Sequence, residues 1–285
     1  MARILLAGCG SIGTQLGLQL QNAGHQVWGL KRSPATLPFP GLQGDLGQPL
    51  ASTLLPPALD YVIHTGTPAE RSDAGYRAGY PLAVQHLLDA LGEQRLQRFF
   101  FVSSTAVYAQ DDGSWVDETS ATEPQAYNGR RVLEAERLVQ ASAQPATCVR
   151  FGGIYGPGRN WLLRRVQGGA DVQVEPPKYT NRIHQDDCVG VLAHLVQLAE
   201  QGTALAECYV GVDDDPADEA SVCSWLAQQL KAPQPTPIKK LTDTSPSQNK
   251  RCRNQRLRNS GYAFQYPSFR EGYQDVLRGQ AESTH

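Results

Sequence analysis

Residues 3–13, RILLAGCGSIG, constrain this chain more than any other stretch. Arg3 to Ala7 is a short, mostly apolar run of the kind a buried parallel strand makes. It closes on Gly8-Cys9-Gly10-Ser11-Ile12-Gly13, a G-x-G-x-x-G. A helical pattern follows at once, with Ile12, Leu16, Leu20 and Ala23 on one face, and Asn22 to Gly24 stops it. In that setting Gly8 makes the tight turn and Gly10 admits a pyrophosphate close to the backbone. Gly13 lets helix and strand pack closely. The N–H groups of Ser11, Ile12 and Gly13 then stand at the positive end of a helix, where phosphate binds. A strand that ends in this pattern and opens a helix predicts dinucleotide binding; a lone G-x-G-x-x-G would not.

The chain has 285 residues, enough for one large domain or two smaller ones. Its hydrophobic content of 40% and charged content of 19% support a packed core. The net charge of −2 offers no basic footprint, so no nucleic-acid partner is expected. The one cationic cluster, Lys250 to Arg258, reads as a solvated helix face. No apolar run reaches the length of a membrane span, and the first apolar run is too short for a signal peptide. Six cysteines form no C-x-x-C pair and sit mostly in apolar surroundings. They read as buried thiols of a cytoplasmic protein rather than a disulfide or zinc framework.

Gln26 to Leu30 reads as a second strand, followed by Lys31-Arg32-Ser33. A dinucleotide fold discriminates its adenosine ribose at this point. An acid there favours NAD, and a nearby arginine accommodates the 2′-phosphate of NADP. With no acid present, and with Arg32 able to pair a phosphate through two charge-assisted bonds, NADP is expected over NAD. Asp45, in Leu42 to Leu46, has two readings: it accepts from the adenine amine, or it caps a helix beginning at Gln48. Asp60 to His64 reads as a fourth strand, and Thr65-Gly66-Thr67-Pro68 as a small-residue turn that lets backbone approach the cofactor. His64 reads as a packed strand-end residue.

A helix is expected from Ala74 to Leu91, a strand from Arg98 to Val102, and a helix over 127–136. Cys148 to Phe151 begins another strand, continued through Gly152 to Gly158. Strands and helices thus alternate to residue 151, the pattern of an α/β, doubly wound parallel sheet of Rossmann type. Asp213-Asp214-Asp215 reads as a solvated acidic turn, and no metal site is expected. Asp218 to Leu230 reads as a helix and 232–237 as a Pro-rich linker.

The pieces GCGSIG (8–13), FFFVSSTAVY (99–108), YNGRRVLEAE (127–136), RFGGIYGPGR (150–159) and NRIHQDD (181–187) resemble the extended short-chain dehydrogenase/reductases of NAD-dependent epimerase/dehydratase type. The tail over 254–272 matches the ending of these proteins too, so the resemblance spans nearly the whole chain in order. It implies a nucleotide domain over 1–157, with 183–212 returning to it. A smaller C-terminal substrate lobe would be made by 158–182 and 213–285. It implies a small-molecule substrate, oxidoreductase or epimerase/dehydratase chemistry, and pairing into a homodimer. Its catalytic set is a Ser, a Tyr and a Lys. Ser104 matches the serine, and Tyr127 with Arg131 has the Tyr/Lys spacing of four that places both on one helix face. Counting back from Glu134 instead sets Arg130 at the Lys position and Ala126 at the Tyr position. On that register the alternative is an NADP(H)-binding protein without turnover. His184 and Asp187 are expected to fix a loop and cap a helix rather than to do chemistry.

Overall fold

A computed structural model describes residues 1–239 and 248–282. The first strand is β1 (Arg3–Ala7), and helix α1 (Ser11–Asn22) follows its glycine turn. Next come β2 (Gln26–Lys31), β3 (Gly41–Gln43) and β4 (Tyr61–His64). Helix α2 (Asp73–Arg77) then runs through a π turn, Ala78–Leu82, into α3 (Ala83–Leu91). Strand β5 (Arg98–Ser104), the short β6 (Trp115–Val116), helix α4 (Tyr127–Ala141) and β7 (Ala146–Phe151) complete the first half. The second half carries β8 (Gly153–Tyr155), α5 (Trp161–Gln167), β9 (Asp171–Gln173) and β10 (Arg182–His184). It continues with α6 (Gln185–Glu200), β11 (Cys208–Gly211), α7 (Glu219–Leu230) and β12 (Thr236–Ile238). Strand β13 (Arg251–Cys252), α8 (Gln255–Asn259) and α9 (Phe269–Glu282) close it.

Seven strands form one sheet in the order β11-β7-β5-β4-β1-β2-β3. The pairings among β1 to β5 are parallel, with Ala7 beside both Leu30 and His64. Buried on both faces, these strands read as near-continuous apolar runs: Ile4, Leu5, Leu6, Val62, Ile63 and Phe99 to Phe101 are all inaccessible. The strand order reverses at the β1/β4 boundary. With right-handed crossovers, that reversal puts successive helices on opposite faces and opens a crevice beyond the strands' C-terminal ends. Gly8 and Thr65 follow those two ends.

The chain divides into two compact units. The first holds 1–107, 122–150 and 189–209; the second holds 108–121, 151–188 and 210–285. The boundary expected at 157 falls at 150, and 108–121 joins the second unit. The reason is local. Strand β7 stops at Phe151, and β8 leaves the large sheet to pair with β10, so the strand expected to run on past Gly152 is two strands. The second unit has its own core, in which Tyr155, Leu163, Val166, Val222, Leu226, Phe269 and Tyr273 pack together.

Four other expectations are corrected here. The helix expected over 74–91 carries a π turn at Pro81, because proline has no N–H for the helical ladder. The Pro-rich linker contains β12, which pairs with β9. The cationic cluster is no solvated helix face: Lys250 is buried, Arg251 lies in β13 and stacks on Trp115 and Tyr179, and a helix starts only at Gln255. The acidic turn is not free in solvent. Asp213 is buried, while Asp214 and Asp215 pair with Arg258 and Arg270. All six cysteines are buried, and none forms a disulfide. No described helix is long and apolar enough to cross a membrane.

Candidate functional site

The site begins at the turn after β1. Gly8 has φ +91°, and a Cβ there would stand 2.3 Å from the Gly66 Cα. The two turns at the strand ends therefore touch backbone to backbone, which only glycine permits. Behind them, Thr65 Oγ1 donates to the Gly8 carbonyl at 2.9 Å, and a Cβ on Gly13 would lie 2.7 Å from that Oγ1. Thr65 is thus a strut under the turn, and Gly13 supplies the close packing of α1 on it. Gly10 caps α1 with φ −80° and ψ −160°, no side chain caps the helix, and its first turn holds no acid. The N–H groups of Ser11, Ile12 and Gly13 have no partner within the helix by geometry. A Cβ on Gly10 would meet nothing within 4 Å.

Over this turn lies a cavity of about 600 Å³. Its floor is Gly8, Cys9, Gly10 and Gly66. Lys31, Arg32, Ser33 and Asp45 line it as well, and so do Glu70, Ala74, Gly75, Ala78 and Gly79. Every member belongs to the first unit. Of the residues expected to bind the cofactor, Gly8, Gly10, Lys31, Arg32, Ser33, Asp45 and Gly66 converge on this one space. Ser11, Ile12, Gly13 and Thr65 stand beside or behind it. Asp45 does not cap a helix at Gln48. Its Oδ1 accepts from Gly47 N at 2.9 Å and closes a turn. The cavity fits a nucleotide: an open space over an uncapped helix N-terminus, flanked by two cations, suits a phosphorylated ligand.

Two titratable groups near the turn are inert. Burial pushes the Cys9 thiol up to about 12 even beside Lys31, so it is no thiolate nucleophile. Burial likewise lowers His64 to about 4, so its imidazole stays neutral at the end of β4 against the rings of Phe101 and Tyr80.

Ser104 ends β5, and its Oγ accepts from Ala106 N at 3.1 Å. Tyr127 opens α4; its hydroxyl donates to the Arg71 carbonyl at 2.9 Å, and its ring meets Tyr76 edge-on. Arg131 lies one turn on. Its Nε and Nη2 grip the two Asp73 oxygens at 2.8 Å each, and its Nη1 reaches Glu134 at 2.9 Å. Tyr127 and Arg131 therefore share a helix face, and that face is turned to 71–73. Asp73 is held below the usual carboxylate range by the Arg131 guanidinium.

Sequence reasoning missed three features. Glu136 is buried, accepting from Ser103 Oγ at 2.5 Å and from Arg150 Nε and Nη2 at 2.9 and 2.8 Å. This network fixes α4 onto β5 and β7, at the residue before Ser104. Its signal was available, since a Glu on the apolar face of an amphipathic helix needs a partner. The α2 wall of the cavity was read only as apolar helix, although Ala74, Gly75, Ala78 and Gly79 recur at a spacing that leaves room for a ligand. In the second unit, Asp187 does not cap α6. It accepts from Gln265 N and Tyr262 Oη at 2.8 Å and from Tyr266 N at 3.0 Å, so it pins the tail segment 262–266.

The model of the NAD-dependent epimerase/dehydratase family matches residues 4–203. A solved structure from Methylobacillus flagellatus, described as a candidate NAD-dependent epimerase/dehydratase, is 30% identical over 98% of this chain and 99% of that one, with a TM-score of 0.81. Protein YeeZ of Escherichia coli K12 is 28% identical over 217 residues, 71% of this chain and 76% of that protein. A 3-diazoavenalumate denitrifying reductase from a Streptomyces species is 32% identical over 112 residues, 37% of this chain and 35% of the reductase.

Proposed function

The chain belongs to the NAD-dependent epimerase/dehydratase family, and on that premise we propose that it is an NADP(H)-dependent oxidoreductase or epimerase/dehydratase. Its substrate is a small carbonyl or alcohol, or a sugar-nucleotide-like molecule. One observation carries the reading: Lys31, Arg32 and Ser33 border the same cavity as Gly8 and Gly10, with no acid among the three. A nicotinamide cofactor follows from the family, and its 2′-phosphate from this trio. Arg32 pairs with the phosphate through two donors, Lys31 adds a point charge, and Ser33 a hydroxyl. The first turn of α1 binds the pyrophosphate, and Gly10 leaves the space it needs. Asp45 accepts from the adenine amine.

When bound, the nicotinamide supplies hydride transfer to or from the substrate carbon. The chain's own part is to orient the substrate and move a proton. Ser104 Oγ is assigned to orient the substrate oxygen. The Tyr127 hydroxyl is assigned to exchange a proton with it, by turning from the Arg71 carbonyl that it meets in the resting chain. The reductase named among the relatives supports redox chemistry on this scaffold. The test is turnover of a carbonyl panel with NADPH by wild type and by Tyr127→Phe. The reading expects Tyr127→Phe to lower kcat at least a hundredfold while NADPH affinity changes less than threefold. Retained turnover removes Tyr127 from the site.

A further inference from the structure

The residues at the Tyr/Lys spacing do something else in the resting chain. Arg131 does not extend to a ribose; both arms of its fork are committed to Asp73, at 2.8 Å each. Asp73 is the first residue of α2. The next residues, Ala74 and Gly75, and then Ala78 and Gly79, are the wall of the nucleotide cavity. No residue of the helical part of that wall is buried. Its helical segment before the π turn is five residues long, and Ser72 caps it by accepting from Gly75 N. Its side chains at the cavity are methyl groups or hydrogens, and Gly75 and Gly79 rest on the 68–70 backbone, itself a loop. The same face of α4 also carries Tyr127, whose hydroxyl donates to the Arg71 carbonyl, outside α2 and its wall. Helix α4, in turn, is fixed to the sheet by the buried Ser103–Glu136–Arg150 network.

We propose that Arg131 is a positioning residue for the nucleotide, not the stand-in for a catalytic lysine: through Asp73 it clamps the α2 wall of the cavity to helix α4. This rests on the cavity being the NADP(H) site, as argued above. The chemistry explains the arginine. A planar fork matches both oxygens of one carboxylate and fixes its orientation, whereas a lysine offers a point charge that does not. The ion pair is solvent-exposed, so it adds little to global stability. Its effect falls on the local order of a short, weakly packed helix.

Two measurements test this on the full chain. The first is hydrogen–deuterium exchange of the 73–79 amides in nucleotide-free protein. Arg131→Lys and Asp73→Asn should each speed that exchange at least fivefold, with exchange in β1 and β5 unchanged. The charge swap Asp73→Arg with Arg131→Asp should restore slow exchange. The second is NADPH titration of the same variants. Each single change should raise the NADPH Kd about three- to tenfold, the double Asp73→Asn/Arg131→Lys should be no worse than either single, and the swap should recover most of the loss. If Arg131→Lys leaves exchange and Kd unchanged, or improves turnover as a restored catalytic lysine would, the clamp is overturned. Wild type that binds no NADPH overturns the nucleotide reading instead, and the exchange data then still decide whether the tether exists.

Discussion

Gly10→Ala separates binding from folding at one atom. Gly10 sits at φ −80° and ψ −160°, a conformation open to any L residue, and an added Cβ meets nothing within 4 Å. Removing a glycine's unfolded-state freedom at a compatible position stabilises by about 0.4–1 kcal/mol. Alanine is the poorer N-cap by a comparable few tenths to 1 kcal/mol. The two nearly cancel, so the urea midpoint should move by less than about 0.5 kcal/mol equivalent, at constant m. The new methyl, however, projects into the cavity over the first turn of α1. A pyrophosphate held off that turn forfeits one charge-assisted hydrogen bond or two, about 1.5–3 kcal/mol each. NADPH affinity should therefore fall on the order of 10- to 150-fold or more. The assay is a paired experiment on one preparation, urea unfolding and NADPH fluorescence titration. Unchanged NADPH affinity in a folded variant refutes the placement of the pyrophosphate. A loss of more than about 1.5 kcal/mol in stability refutes the claim that the space at Gly10 is empty in the folded chain.

Two further outcomes are expected. Glu136→Gln leaves Arg150 buried without its counter-charge, so unfolding free energy should drop by about 3–5 kcal/mol; a drop below 1 kcal/mol in chemical denaturation contradicts the role given to the network. His64 has a folded pKa of about 4, below its ordinary value, so between pH 6.5 and 4 the unfolded chain holds a proton that the folded chain does not. Stability therefore falls on acidification across that window, by up to about 3 kcal/mol, and His64→Leu should flatten this part of the profile; an unaltered slope assigns it to other groups.

The nucleotide half of the molecule was legible because each of its parts has a local signature. The strand before Gly8, the glycine spacing and the Lys31–Ser33 trio are each a contiguous stretch of sequence, and the glycine turn and the trio meet in one cavity because β1 and β2 are adjacent in the sheet. The α2 wall was not legible in the same way, since its small residues acquire meaning only when they pack on the 68–70 backbone. The reacting end was read by spacing alone. Spacing placed Tyr127 and Arg131 on one face, and it carried no information on what that face meets. Asp73 lies 58 residues away in the chain. The buried Lys250 and Asp213 were misread for a related reason. Charge runs are usually solvated, but here Lys250 gives its ammonium protons to Gln248 Oε1 and the Tyr108 carbonyl, while burial lowers it to about 8. Burial drives Asp213 well above the usual carboxylate range. Neither environment is written in the neighbouring residues.

The most direct test of the account is titration of wild type and Arg32→Asp with NADPH and with NADH. Wild type should bind NADPH at least tenfold more tightly than NADH. Arg32→Asp removes two donors and sets a carboxylate against the 2′-phosphate. It should weaken NADPH binding on the order of 30- to 1,000-fold, equivalent to about 2–4 kcal/mol, and alter NADH binding less than threefold. Equal losses for both cofactors, or a wild type that prefers NADH, contradict the assignment of Lys31, Arg32 and Ser33 to the 2′-phosphate.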